Sequence, residues 1–310
     1  MTATCARWLS RLAAAALDAG MTAAALDAGM TVAAVAVVVL STTACNEQDK
    51  RFVELSNQGI EALDSEDYAR ADGLFRDAQK LRPADPDVRF YLGTIALRDG
   101  QFDEAVAHLQ ASIQGDPQRP EAHLAVAKAL YEGHQASQAR AALSALFKLD
   151  SGHPQGHFLE AKIARDAKDR LSMDKALRNA IAGDVGFVAG YQLLAQLYVD
   201  VGAYDAARLA LQEGLKFNPD AVELREALGL VMLDLGRPDK ATIELEAACQ
   251  MTRARPQVFF SLAAAQLQRG DRAAAVTSLK SFLIQSQGVL AKKDPLVQQA
   301  ATMINKLRSN

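Results

Sequence analysis

Small and large apolar residues recur along the chain at one fixed interval. Alanine occupies one phase of a 34-residue register at Ala71, Ala105, Ala139, Ala207, Ala241 and Ala275, and Met173 alone interrupts the series. A large apolar residue follows four positions later each time: Phe75, Leu109, Leu143, Leu177, Leu211, Leu245 and Leu279. An interval of this length accommodates two helices of about a dozen residues each and two short turns. The pattern predicts an array of two-helix repeats.

A third phase indicates how the two helices of each repeat pack. Twelve residues before the alanine phase stands a small residue, at Gly59, Gly93, Ala127, Ala161, Ala195, Gly229 and Ala263. Small side chains let helices approach closely, so we expect this position of the first helix (A) to face the second helix (B). Glycine at Gly100, Gly202, Gly236 and Gly270 predicts the end of helix A, and proline at Pro83, Pro117 and Pro219 the end of helix B.

These small, large apolar and proline positions resemble the tetratricopeptide-repeat (TPR) pattern. The resemblance implies an all-α fold, a TPR superhelical solenoid of seven helix-turn-helix repeats plus a C-terminal capping helix. The repeats would span 52–85, 86–119, 120–153, 154–187, 188–221, 222–255 and 256–289, with the cap in 290–310. Because Met173 replaces the small residue, the fourth repeat is expected to be the irregular or flexible one.

The cap has its own sequence pattern. Asp294 precedes Pro295, a pair typical of a helix start, since proline fits the first helical position. Apolar residues then recur on one predicted face, at Leu296, Ala300, Met303, Ile304 and Leu307. We expect this helix to cover the apolar end of the stack, because a terminal repeat has no further neighbour.

The segment before the repeats is typical of a secretory signal. Arg7 and Arg11 precede an apolar run, TVAAVAVVVL, and small residues lead to Cys45. The pattern resembles a bacterial lipobox, which implies a signal peptide over 1–44, acylation of Cys45, including by palmitate, and a lipidated tether over 45–51. Thr42 stands where the lipobox family usually has leucine.

Two other interpretations of this segment remain open. Residues 28–44 could stay as an uncleaved anchor in the inner membrane, although 17 residues is near the lower limit for a span; alternatively, the general signal peptidase could cut here. Asn46 is not the aspartate that retains many lipoproteins at the inner membrane, so we expect an outer-membrane lipoprotein facing the periplasm. The stretch 14–22 is repeated unchanged at 23–31, which leaves the true start open.

Composition and motifs argue against several function classes. The formal net charge is −3, without the basic excess typical of nucleic-acid binding. The sequence has no glycine-rich phosphate loop, G-x-S-x-G elbow or H-E-x-x-H motif. We therefore predict no enzymatic activity, no cofactor, no nucleic-acid partner and no small-molecule substrate.

The isolated histidines, cysteine and carboxylates likewise give no reason to predict a catalytic or metal site. His153 and His157 are four residues apart, but Pro154 places His153 before the helix and no third metal ligand is evident, so we expect two surface imidazoles and no metal. Cys249 is expected to be a small buried hydrophobic residue. The carboxylates near the first turn are expected to face solvent: Asp64, Glu66 and Asp67.

The TPR resemblance implies a partner-binding concave face built from positions 2, 5, 9, 12 and 13 of each helix A. The register places an apolar and basic surface at Phe90, Thr94, Leu97, Arg98, Leu124, Lys128, Tyr131, Phe158, Lys162 and Arg165. Acidic residues follow at Asp200, Glu223, Glu226 and Asp234, and Phe260 is apolar again. This predicts a dipolar groove for a protein or peptide, unless Phe90 and Phe158 simply pack between neighbouring A helices.

The combination of an acylation cysteine with tight repeats resembles TPR lipoproteins of envelope assembly, such as PilF-type pilotins and TadD-type pilus lipoproteins. The resemblance implies a membrane-anchored periplasmic scaffold with protein partners, in pilus or secretin biogenesis. The alternative is an adaptor lipoprotein for peptidoglycan hydrolases or the exopolysaccharide export machinery.

Overall fold

The structure is a computed structural model that describes the backbone of residues 32–251, 255–291 and 293–309. Side chains are described for residues 47–251, 255–291 and 293–308. Most of the predicted signal peptide and the side chain of Cys45 therefore lie outside the described residues. Within the described part, the chain forms fifteen α-helices and no strand.

The helices follow one another with short turns. In chain order they are α1 (Val32–Asp64), α2 (Tyr68–Leu81), α3 (Pro86–Arg98), α4 (Phe102–Gly115), α5 (Pro120–Glu132), α6 (Ala136–Leu149), α7 (Pro154–Asp166), α8 (Arg170–Gly183), α9 (Val188–Asp200), α10 (Tyr204–Phe217), α11 (Val222–Asp234), α12 (Pro238–Cys249), α13 (Pro256–Gln268), α14 (Arg272–Gln285) and α15 (Pro295–Ser309). From the second repeat onward, each helix A begins at the first residue of its 34-residue period. The all-α, repeated helix-turn-helix fold class is confirmed.

Helix α1 is longer than the other A helices because it begins before the first repeat. It runs without a break from Val32 to Asp64, so the predicted tether at 45–51 lies within a helix. Among the described residues, no helix combines the length and apolar character that a membrane crossing requires. Acylation of Cys45 stays a prediction.

The chain divides into two compact bodies, Met1–Ala142 and Leu143–Asn310, called here the N-terminal and C-terminal bodies. In the N-terminal body, a buried cluster formed by α1, α2 and α3 includes Phe52, Phe75 and Leu92. In the C-terminal body, a larger cluster runs from α9 to α13 and includes the fully buried Tyr191. Each cluster joins successive repeats, because one repeat alone cannot enclose its apolar face.

The close approach of helices A and B depends on the small residue at position 8 of a repeat. A Cβ atom placed on Gly93 would lie only 2.5 Å from Cγ of Leu109 in the same repeat. The same addition at Gly229 would lie 2.5 Å from Cγ of Leu245. Leu109 and Leu245, at position 24, are completely buried, so the contact has no room for a larger side chain.

Every A–B turn in the described repeats ends with a left-handed residue at position 15. Four are the predicted glycines, Gly100, Gly202, Gly236 and Gly270, and three are the non-glycine residues Glu66, His134 and Lys168 with φ near 60°. In repeat two, Gln101 N–H donates to the carbonyl of Ala96 and Gly100 N–H to that of Leu97. This Schellman arrangement satisfies the last carbonyls of helix A. The positive φ of the three non-glycine residues shows that the turn keeps its left-handed geometry where glycine is absent.

Repeat four is not irregular, contrary to expectation. Its helices, α7 and α8, have 13 and 14 residues, and Met173 is buried within the core. A long unbranched side chain adapts to the space between helices. Among the described B helices the short one is α12, with 12 residues.

The capping helix α15 covers the last repeat as predicted. Asp294 accepts a hydrogen bond from the N–H of Leu296 at the helix start. Ala300 and Ile304 are buried against α13 and α14, and Leu296, Met303 and Leu307 pack around them.

A glycine-to-alanine pair tests the A–B contact. We expect Gly93→Ala to lower the free energy of unfolding by about 1–3 kcal/mol, because its Cβ overlaps Leu109. Gly73→Ala, in an open helical position of α2, should instead raise it by roughly 0.5–1 kcal/mol through helix propensity. Urea denaturation followed by circular dichroism measures both, and equal effects of the two substitutions would contradict the contact.

A second pair tests the left-handed turn. Lys168→Gly should raise the free energy of unfolding by about 0.5–1 kcal/mol, because glycine adopts positive φ without a Cβ penalty. Lys175→Gly, within helix α8, should lower it by about 1 kcal/mol. A loss of stability in both variants would show that Lys168 is not strained.

Candidate functional site

The predicted groove residues of the N-terminal body differ in accessibility. Arg98 is exposed, whereas Phe90, Thr94, Lys128 and Tyr131 are half-buried. Leu124 is buried, since it contributes to the core between helices, and does not line an accessible surface.

Phe90 is partly covered by residues of its own repeat. The guanidinium of Arg119, at position 34, lies 5.3 Å from the Phe90 ring centroid, and Tyr91 meets the same ring edge-on at 5.7 Å. Arg119 also forms ion pairs with Asp87 and Asp116. Phe90 therefore has both an internal packing role and a partly accessible edge.

The basic charge at Arg98 is compensated locally. Its guanidinium lies 2.7 Å from the carboxylate of Asp99 and 3.5 Å from the ring centroid of Tyr68. In the C-terminal body, Arg165 likewise lies 3.3 Å from the carboxylate of Asp166. These neighbouring carboxylates weaken the positive end that the sequence predicted for the groove.

Phe158, in the C-terminal body, is half-buried like Phe90. Phe187, at position 34 of the same repeat, meets it edge-to-face at 5.3 Å between ring centroids. Such aromatic pairs add about 0.5–1.5 kcal/mol beyond burial. Lys162, one turn further along α7, is also half-buried.

Glu226 is a buried carboxylate and not an open groove residue. It is 8% exposed, and one carboxylate oxygen lies 2.6 Å from the guanidinium of Arg255. The other oxygen accepts a hydrogen bond from Ser261 Oγ at 3.3 Å. Because its hydrogen-bonding capacity is used within the protein, Glu226 contributes little to binding an external cation.

Position 34 thus covers position 5 of the same repeat in three cases. The pairs are Phe90 with Arg119, Phe158 with Phe187, and Glu226 with Arg255. This arrangement was not predicted, although complementary side chains 29 residues apart in the sequence were a signal for it. The pairing limits the exposure of position 5 in these three repeats.

The remaining acidic groove residues stay accessible. Asp200 and Asp234 are exposed and Glu223 is half-buried. Gln196, one turn before Asp200, donates a hydrogen bond to its carboxylate at 2.7 Å. These three carboxylates lie on the neighbouring helices α9 and α11, which pack against each other in the C-terminal body.

The histidine pair is part of a repeat junction. His153 Nδ1 accepts a hydrogen bond from Gly156 N–H at the start of α7. His157 is buried, contrary to expectation, because its ring stacks on Phe147 at 4.2 Å and its Nε2 lies 2.9 Å from the Ser151 carbonyl oxygen. The described residues contain no group of three His, Cys, Asp or Glu side chains arranged to hold a metal.

The other isolated groups have structural surroundings. Burial, and secondly the carboxylate of Glu226, raises the pKa of the Cys249 thiol to about 12, so it stays protonated at neutral pH. Cys249 is half-buried against the core, and so less buried than predicted. Asp64, Glu66 and Asp67 are exposed, as predicted.

Comparison with protein-family models gives tetratricopeptide-repeat matches at residues 56–120, 96–163 and 193–259. Together these matches cover more than half of the chain. The chain belongs to the tetratricopeptide-repeat family. TPR proteins bind protein or peptide partners, and the chain is accordingly a protein–protein interaction scaffold, a typically non-enzymatic role. A search of curated proteins finds no similar sequence.

Several solved structures are similar to this chain. A tetratricopeptide-repeat protein from Parabacteroides merdae is similar with a TM-score of 0.56 and 16% identity, over 84% of this chain and 100% of that one. The Cut9–Hcn1 structure is similar with a TM-score of 0.53 and 14% identity, over 83% of this chain and 52% of that one. PilF from Pseudomonas aeruginosa is similar with a TM-score of 0.47 and 16% identity, over 62% of this chain and 92% of that one.

Substitutions at the Glu226–Arg255 ion pair test whether this pair stabilises the TPR scaffold. Arg255→Met should lower the free energy of unfolding by about 1–3 kcal/mol, because it leaves the buried carboxylate of Glu226 without its counter-ion. Adding Glu226→Met should recover most of the loss. Arg237→Met, at another exposed arginine before a helix, should change stability by less than about 0.5 kcal/mol. If Arg255→Met is no worse than this control in urea denaturation, the pair is not stabilising.

Proposed function

We propose that this TPR protein is a lipid-anchored periplasmic scaffold that brings protein partners together during cell-envelope assembly. The observation that carries the proposal is Cys45, which follows an apolar run and small residues and precedes the repeats by only a few positions. Acylation there would tether the array to a membrane, and Asn46 favours the outer one. The repeats would then act in the periplasm.

The geometry supports a scaffold with a partner-binding face on its A helices. Side chains at positions 5, 9 and 13 remain at least partly accessible in several repeats, among them Phe90, Phe158, Asp200 and Asp234. Extended or helical peptides bind to such grooves through apolar anchors and complementary charges. Pilus or secretin biogenesis is the assembly process that we propose for this scaffold.

Metabolic labelling with a palmitate analogue tests the anchor. Labelling should disappear in Cys45→Ser and persist in the control Cys249→Ser, because Cys249 lies within a repeat, half-buried against the core, and not beside the predicted cleavage site. Cys45→Ser should also move the protein from the membrane fraction to the soluble periplasmic fraction. Unchanged labelling of Cys45→Ser would overturn the anchor.

Affinity purification from a solubilised, cross-linked envelope of the native host tests the assembly role. Recovery of a secretin or pilus component with the wild-type protein, and its loss from Cys45→Ser, supports the proposal. Recovery of wall hydrolases or polysaccharide-export proteins alone would contradict the proposed assembly process while keeping the scaffold role.

A further inference from the structure

The predicted groove positions of repeats five to seven carry charge of one sign. Positions 2, 5, 9, 12 and 13 of α9, α11 and α13 include four carboxylates and no lysine, arginine or histidine. Glu226 is neutralised internally by Arg255, which leaves Asp200, Glu223 and Asp234 on this surface. Their like charges repel anions and attract cations.

An exposed leucine lies among these carboxylates. Leu230, at position 9 of α11, is 42% exposed. Glu223 lies two helical turns before it on the same helix face, and Asp234 one turn after it. Helix α9, which carries Asp200, packs directly beside α11.

The surface around Leu230 is apolar as well as acidic. Leu233, on α11, is half-buried, and so is Phe260 on the neighbouring helix α13. The Phe260 ring meets the fully buried ring of Phe282 edge-on, at 5.5 Å between ring centroids. Apolar and acidic residues therefore share the groove positions of the neighbouring helices α9, α11 and α13.

We propose that this surface, named the Leu230 subsite and formed by Asp200, Glu223, Leu230, Asp234 and Phe260, binds a cationic amphipathic segment of a partner protein. An aliphatic side chain of the segment contacts Leu230 and Phe260, and lysine or arginine residues on either side pair with the three carboxylates. The inference rests on the proposed scaffold function and specifies the chemistry of its partner.

Leu209, an exposed aliphatic residue elsewhere in the C-terminal body, lacks this charge pattern. Leu209, on helix α10, is 58% exposed and has both Arg208 and Glu213 beside it. Arg208 is in turn paired with Asp205 at 3.2 Å. Charges of both signs there give no net preference for a cationic segment, so Leu209 is a matched control for Leu230.

The test uses the full chain and a fluorescein-labelled helical peptide of about 14 residues, built from lysine and leucine with the leucines on one face. Fluorescence anisotropy measures binding. We expect binding that weakens as salt rises from about 50 to 300 mM, because salt screens exposed charges. A peptide with glutamate in place of lysine should not bind, and one with serine in place of leucine should bind more weakly.

Variants locate the binding surface. Asp200→Asn with Asp234→Asn, and separately Leu230→Ala, should each weaken binding by roughly tenfold with unchanged helicity by circular dichroism. The controls Asp205→Asn with Asp239→Asn, and Leu209→Ala, on the B helices, should change binding less than about twofold. Equal losses in the test and control variants would show nonspecific attraction and overturn the subsite.

The outcome is separable from that of the proposed function. Peptide binding at the Leu230 subsite with unlabelled Cys45 would preserve the subsite and reject the anchor. Recovery of an envelope partner whose binding is unaffected by Leu230→Ala and by the aspartate double variant would preserve the scaffold and reject the subsite.

Discussion

The close contact between position 8 of helix A and position 24 of helix B is the constraint on which the repeats depend. At Gly93 and Gly229 the facing leucine fills the space that a Cβ would need. Because the two helices touch here, an added residue would rotate the following turn by about 100° and point the buried side chains elsewhere. This explains why the 34-residue period is kept through seven repeats without an insertion.

The constraint also limits which positions are available for binding. The B-facing side of helix A is used by the core, so partner contacts fall to the opposite side. Even there, the side chain at position 34 covers the one at position 5 of the same repeat in three cases. An arginine lies over Phe90, a phenylalanine meets Phe158, and an arginine forms an ion pair with Glu226. Position 9 has no such cover at Leu230, and an exposed aliphatic side chain remains.

The electrostatic character of the groove depends on local ion pairs more than on how many charged residues the sequence places there. The sequence places arginines at Arg98 and Arg165, but each lies against the carboxylate of the next residue. Exposed pairs of this kind contribute little to stability, yet they reduce the field that an approaching partner experiences. The carboxylates around Leu230 have no lysine or arginine at the neighbouring groove positions, so the acidic side of the predicted dipole is the better defined one.

The sequence alone determined the repeat period, the helix class, the A–B turns at the glycine phase and the capping helix. Each of these depends on local backbone preference or on apolar residues at helical spacing, which a sequence displays directly. Tertiary structure decided the burial of Leu124, Glu226 and His157 and the exposure of Leu230. It also decided that Glu66, His134 and Lys168 adopt left-handed geometry without glycine. These features depend on side chains that meet from different helices, and on packing strong enough to offset local strain, so a periodic pattern does not specify them.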